Sequence, residues 1–181
     1  PRRITRIVES LVTFSHSGGV RDTIQGPVNV AAAAAEAIAL LLLDPDHRAQ
    51  RFENLCTPDL EVVGDPQRLL QVFVNLLGNA ADASDPDEAI RVASEDHGDK
   101  VRIQVEDHGH GVPEELRAAL FEPFVTSKPP GRGTGLGLAL VYSIIEDHQG
   151  AVWVESPIDG DRGTRFIIEL PRFTAGALST H

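Results

Sequence analysis

The sequence predicts an α/β fold, a two-layer sandwich of three main helices on one mixed, largely antiparallel sheet. Three observations predict it. Segments with a helical apolar period alternate with β-branched runs, so helices and strands share one core. The strand pairs 89–94 with 100–106 and 151–156 with 164–170 are joined by connections too short for a crossover, which makes them hairpins. The chain has 181 residues, enough for one such core and a small appendage.

Residues 2–15 read as an amphipathic helix with a narrow stripe of Ile4, Ile7, Val8, Leu11, Val12 and Ser15. That stripe suits a helix-pairing seam or packing on the main body. Ser17-Gly18-Gly19 ends the helix, and a polar link runs to Gly26-Pro27, where a boundary is expected. Asn29 is placed to cap a helix from Val30 to about Leu43, broken by Asp44-Pro45. Strands follow at Arg51–Leu55 and Glu61–Val63. Asp65 and Pro66 open a strong helix over 66–83. The hairpin Ala89–Ser94 and Lys100–Glu106 turns at His97-Gly98-Asp99. A short helix runs from Pro113-Glu114 to about Leu120, and residues 121–135 read as a long functional loop. A helix from Leu136 to Gln149 ends at Gly150, and a hairpin over 151–156 and 164–170 closes the domain. The division is therefore 1–19, 20–173 and a tail, 174–181.

The net charge is −11, from 16 Lys+Arg and 27 Asp+Glu. Such a surface disfavours a nucleic-acid backbone or an anionic membrane as the main partner, while leaving room for a nucleotide in a local pocket. One cysteine, Cys56, excludes an internal disulfide and a multi-Cys zinc site. The longest apolar stretch, 30–43, is too short to span a bilayer. The absence of Met and the start at Pro1 predict a segment of something longer.

Four clusters carry the chemistry. On the 66–83 helix, Gln71, Asn75, Asn79 and Asp82 fall on one face, apart from the apolar stripe of Leu69, Leu70, Phe73, Leu76, Leu77 and Ala80. Two amide oxygens one turn apart suit Mg²⁺, and Gly78 on that face leaves room for a ligand. Alone, such asparagines equally well hydrogen-bond a neighbouring loop. The second cluster, Asp107-His108-Gly109-His110-Gly111-Val112-Pro113, puts a carboxylate behind a strand, where it can accept a hydrogen bond from an adenine amine. The same cluster also reads as a turn with a capping Asp. Its two histidines are a poor metal site. In the third, Phe121 and Phe124 would anchor a loop from which Lys128 reaches a phosphate as a point charge. In the fourth, Gly131, Gly133, Gly135 and Gly137 lead into a helix, whose N-terminal amides and partial charge favour an anion. No Walker lysine follows and no strand leads in.

In order, these clusters resemble the catalytic ATP-binding domain of sensor histidine kinases, within the superfamily that includes type II topoisomerases, mismatch-repair ATPases and heat-shock chaperones. Asn75-Leu-Leu-Gly-Asn79-Ala is similar to the family's N box. Asp107-His-Gly-His-Gly111-Val-Pro is similar to its first glycine box, Phe121-Glu-Pro-Phe124 to its F box, and Gly133-Thr-Gly-Leu-Gly137-Leu138 to its second glycine box. Gly163-Thr164 resembles the third. The run 121–131 is closest to the nitrogen-regulation type. Residues 2–15 resemble the second helix of the dimerisation and phosphotransfer hairpin.

The resemblance implies ATP and Mg²⁺ as ligands. Asn79 would ligate the metal, and Asn75 would position metal, water or phosphate. Asp107 would read the adenine amine, with Gly109 and Gly111 admitting the base and Thr164 near it. Lys128, Gly133, Thr134, Gly135, Leu136, Gly137 and Leu138 would meet the nucleotide and its phosphates. It further implies homodimerisation through the hairpin, a response regulator as partner, and a cytoplasmic location, with no direct contact of this segment with a membrane. Topoisomerase and chaperone relatives carry a glutamate base where Asn75 stands; an amide cannot be that base, which favours phosphoryl transfer over hydrolysis. The family's acceptor motif is missing: His16, His47, His97, His148 and His181 lack its context, so the acceptor is expected upstream or in a partner. His108 stands where the family often has Asn. A related ATPase that gates dimerisation, or a non-catalytic signalling module, remains as an alternative.

Overall fold

A computed structural model describes residues 25–125 and 135–176. The elements run β1 (Gly26–Asn29), α1 (Val30–Leu42), β2 (Arg51–Leu55), β3 (Glu61–Gly64), α2 (Pro66–Ala83), β4 (Ala89–Asp96), β5 (Lys100–Asp107), α3 (Glu114–Arg117), α4 (Gly137–Asp147), β6 (Ala151–Glu155) and β7 (Thr164–Pro171). The main sheet has the order β2-β4-β5-β7-β6. Only β2 and β4 are parallel within it; the other neighbours are antiparallel. The sheet is therefore mixed and largely antiparallel, with α1, α2 and α4 as the helical layer. The 2–15 helix lies outside the described residues.

Most elements form for the reasons legible in the sequence. Asn29 Oδ1 caps α1 by accepting from Ala32 N at 2.9 Å, and Asp65 Oδ1 caps α2 by accepting from Gln67 N at 2.9 Å. The inward faces of Val101, Ile103, Val105, Phe166, Ile168 and Leu170 bury against Leu69, Phe73, Leu76 and Leu77. Ala33, Ala34 and Ala37 are buried too, and their small size lets α1 lie close. The outward face carries charged cross-strand pairs instead: Arg102 with Glu169 at 2.7 Å, Arg165 with Glu106 at 2.7 Å, and Arg91 with Glu53 at 2.9 Å.

Three local expectations fail. Residues 26–29 are not linker: they form β1, antiparallel to β3 with Gly26 opposite Gly64. Its short, proline-bearing sequence lacks a strand signal, and only the partner strand creates it. The helix after Pro113 is a single turn, 114–117, because it buries no residue that would extend it. Helix α4 starts at Gly137 rather than Leu136 and ends at Asp147. Gln149, beyond it, takes a left-handed conformation (φ 57°).

Helices α2 and α4 are antiparallel and locked at one end. Asp65 N–H donates to His148 Nε2 at 3.0 Å, so the imidazole proton sits on Nδ1, which donates to Ile144 O at 2.7 Å. Arg68 adds an ion pair to Asp147 at 2.6 Å. His148 is buried, so both of its hydrogen bonds matter. Replacing it by Leu should lower unfolding free energy by about 2–3 kcal/mol, since a buried N–H is left unpaired. Urea denaturation of His148→Leu against wild type checks this.

Candidate functional site

The site forms where the C-terminal half of α2, the end of β5, the start of α4 and the start of β7 meet. The α2 residues are divided by what they touch. Asn75 is half-buried, and its Nδ2 donates to Gln71 O at 2.9 Å. That bond turns Oδ1 toward α4: a Cβ built on Gly137 would come within 2.8 Å of it. Asn79, one turn on, is also half-buried.

The other polar residues of α2 behave differently from expectation. Gln71 is not on an open polar face but is 6% exposed, with Oε1 buried and unpaired. Gly78 does not open toward a ligand; a Cβ there would point at Leu41 of α1, 3.5 Å away. Asp82 binds His47 Nε2 at 2.9 Å from the loop after α1. That hydrogen bond raises the His47 pKa despite its burial, helped by the charges of Asp82, Asp44 and Asp46. The pair's stabilisation is complete below the ordinary histidine value and fades as pH rises through the raised one.

Asp107 is the last residue of β5, not the first beyond it. The period-2 alternation that buries Val101, Ile103 and Val105 therefore turns its carboxylate inward, where it is 3% exposed. Burial pushes its pKa up to about 6, against a hydrogen bond that Oδ1 accepts from Gly109 N at 2.9 Å. Thr164 lies directly opposite Asp107 on β7 and is equally buried. The glycines of the following turn are filled in by protein: a Cβ on Gly109 would strike Ala83 O of α2, and one on Gly111 would lie 3.1 Å from Ser156 Oγ. These glycines let the turn pass close to α2 and β6, whereas the sequence suggested that they admit a ligand.

The aromatic pair splits as well. Phe121 anchors, with its ring centroid 5.9 Å from Tyr142 and 6.2 Å from Phe166. Phe124 does not: it is 76% exposed and left-handed, with φ 68°. Its role is local. Its N–H donates to Gly135 O at 2.8 Å, and Gly135 (φ 66°) has no room for a side chain against the Phe124 backbone. The two residues are thus held together just before α4. Leu136 and Leu138 flank Gly137 there, Leu138 packed against the core. Lys128, Gly133 and Thr134 lie outside the described residues.

His108 sits 3.5 Å from Glu106, and His110 Nδ1 is 2.8 Å from its neighbour's Gly111 O. No group of three or more His, Cys, Asp or Glu among the described residues could hold a metal ion. Ser156, which the sequence analysis passed over, joins Val112 to Gly163 through its hydroxyl. A single serine in a hairpin end carries no spacing signal that could have flagged it. A cleft of about 360 Å³ lies on the far side of the glycine turn, lined by His110, Pro113, Arg117, Pro157 and Asp161 among others. It does not include Asn75, Asn79 or Asp107.

The buried carboxylate has a stability consequence. Its pKa rises on folding from the ordinary 3.8 to about 6, so the protonated form is the one folding favours. The folded state is relatively more stable below the unfolded value and loses that advantage as pH climbs through about 6. Asp107→Asn should therefore raise unfolding free energy at pH 8 by on the order of 2–3 kcal/mol, a gap that closes below about pH 4. Urea titrations of both proteins across that range check the sign.

No helix among the described residues is long and apolar enough to cross a membrane. Residues 64–174 match the family model described as histidine kinase-, DNA gyrase B-, and HSP90-like ATPase. The sensory histidine kinase/phosphatase NtrB of Rhodobacter capsulatus is 34% identical over 191 aligned positions, covering 94% of this chain and 49% of that protein. The chain spans half or less of the length of the curated relatives it matches. Among solved structures, the nucleotide-free catalytic domain of histidine kinase ThkA superposes with a TM-score of 0.71 at 35% identity, covering 82% of this chain and 95% of that one. Histidine kinase ThkA in complex with response regulator protein TrrA gives 0.68 at 30% identity, covering 94% and 48%. With the amide face of α2 against the glycine start of α4, and Asp107 inward at the end of β5, this chain belongs to the histidine kinase-, DNA gyrase B-, and HSP90-like ATPase family, as a histidine-kinase catalytic domain.

Proposed function

We propose that the chain is the ATP-binding and phosphoryl-transferring unit of a two-component sensor kinase. It delivers the γ-phosphoryl group of ATP to a histidine outside this chain, for relay to an aspartate of a response regulator. The observation that carries the reading is the approach of Asn75 Oδ1 to the backbone of Gly137. It supports a phosphate site between a helix that offers hard amide oxygens and a helix N-terminus.

The donor set fits Mg·ATP. Asp107 and Thr164 form a buried polar corner that suits a purine edge. Asn79 offers its amide oxygen to the metal, and Asn75 orients the phosphate end. Gly109 and Gly111 shape the wall beside the base. Gly135, Leu136, Gly137 and Leu138 form the start of α4, toward which Lys128, Gly133 and Thr134 lead in sequence. The nucleotide would bring the phosphoryl group, and Mg²⁺, held by Asn79, would offset its charge. The chain's own residues do the rest by positioning. Asn75 has no basic group with which to activate water, which favours transfer to a histidine over hydrolysis.

Residues 1–19 belong, on this reading, to a dimerising helical hairpin, 20–173 to the catalytic domain and 174–181 to a tail. The full protein acts as a homodimer, with this segment on the cytoplasmic side and away from lipid. The complex of ThkA with TrrA supports a receiver domain as the partner.

Calorimetry with Mg·ATP should give a saturable site in the wild type and at least about tenfold weaker binding in Asp107→Ala, the loss of a hydrogen bond to a charged acceptor. No binding in either protein would point to a scaffold. The chain alone should not phosphorylate itself, and it should phosphorylate a separately supplied hairpin that carries the acceptor histidine. Acid-labile phosphate on His16, or hydrolysis of ATP with no acceptor present, would overturn that assignment.

A further inference from the structure

Ser156 follows β6 and is 9% exposed. Its one hydroxyl makes three contacts with two other segments of chain. Oγ accepts from Val112 N–H at 2.9 Å, donates to Gly163 O at 2.8 Å, and lies 3.5 Å from Thr164 Oγ1. A hydroxyl has a single proton, and a backbone carbonyl can only accept. The Ser156 proton is therefore committed to Gly163 O. Of the two hydroxyls in the remaining, longer contact, only Thr164 has a proton to give.

The direction of that proton matters because of where Thr164 stands. It faces Asp107 across β5 and β7, on the same inward side of the sheet. With its proton turned to Ser156, the Thr164 hydroxyl shows its lone pairs to the corner it shares with Asp107. An ionised Asp107 also offers acceptors only. Such a corner suits an exocyclic amine, which brings two N–H groups, and opposes a carbonyl oxygen in the same place.

We propose that Ser156 is a positioning residue for base specificity: it holds Thr164 as an acceptor, so that the corner selects a 6-amino purine over a 6-oxo purine. This rests on the nucleotide-binding reading above. Ser156 touches no nucleotide itself. Without it, the Thr164 proton is free to rotate and donate to a carbonyl.

The test is calorimetry with Mg·ADP and Mg·IDP, which differ at that edge of the base. The wild type should prefer ADP, and Ser156→Ala should lower the ADP-to-IDP affinity ratio by about tenfold. Lost packing alone would reduce the binding stoichiometry or weaken both nucleotides together, leaving the ratio unchanged. Thr164→Val keeps the side-chain shape and removes the hydroxyl; it should lower the ratio too, and adding Ser156→Ala to it should change the ratio no further. An unchanged ratio in a folded Ser156→Ala overturns the assignment of Ser156 alone. Should that variant fail to fold, an unchanged ratio in Thr164→Val overturns it equally. A wild type that binds neither nucleotide overturns this assignment and the nucleotide-binding reading together.

Discussion

Two contacts set helix α4 against helix α2 and fix which residues of the two helices face each other. At one end the buried His148 accepts a hydrogen bond from Asp65 N–H and donates one to Ile144 O. At the other, Asn75 Oδ1 meets the backbone of Gly137 without a side chain between them. Helices are stiff, so fixing one end of an antiparallel pair fixes the register along its length. Asn75 of α2 thereby faces the first turn of α4, where the helix dipole favours an anion.

The corner of Asp107 and Thr164 depends on a different constraint, the alternation of β5. The same period that buries three valine and isoleucine side chains carries a carboxylate into the interior at the strand's end. That placement is unfavourable for an ionised carboxylate, and burial pushes its pKa up to about 6. Around it the turn is drawn tight by short contacts: Gly163 N donates to Gly109 O at 2.9 Å, and Ser156 ties both sides together. Rigid walls of this kind reduce what a ligand must order on binding.

Much of this was legible in the residues. The caps at Asn29 and Asp65, the 3.6-residue period of α2, and the hairpin alternation each act locally, so their signals survive in a one-dimensional string. The order of the asparagine pair, the Asp-x-Gly-x-Gly turn and the glycine-rich helix start pointed to a nucleotide before any geometry was known. Signals failed where burial depends on a distant neighbour. Gln71 reads as polar surface and is enclosed, Phe124 reads as an anchor and faces solvent, and β1 has no pattern of its own and exists through β3.

The amino-acid order alone settled which elements form and which residue types stand at their ends, because capping, periodicity and turn preference act over a few residues. Folding in three dimensions decided what each polar group faces. It paired Asp107 with Thr164 across strands 57 positions apart in the chain, turned Gly78 and Gly109 into packing contacts, and gave Ser156 a role. Hydrogen-bond direction and desolvation depend on atoms brought together from separate segments, and no local pattern encodes them.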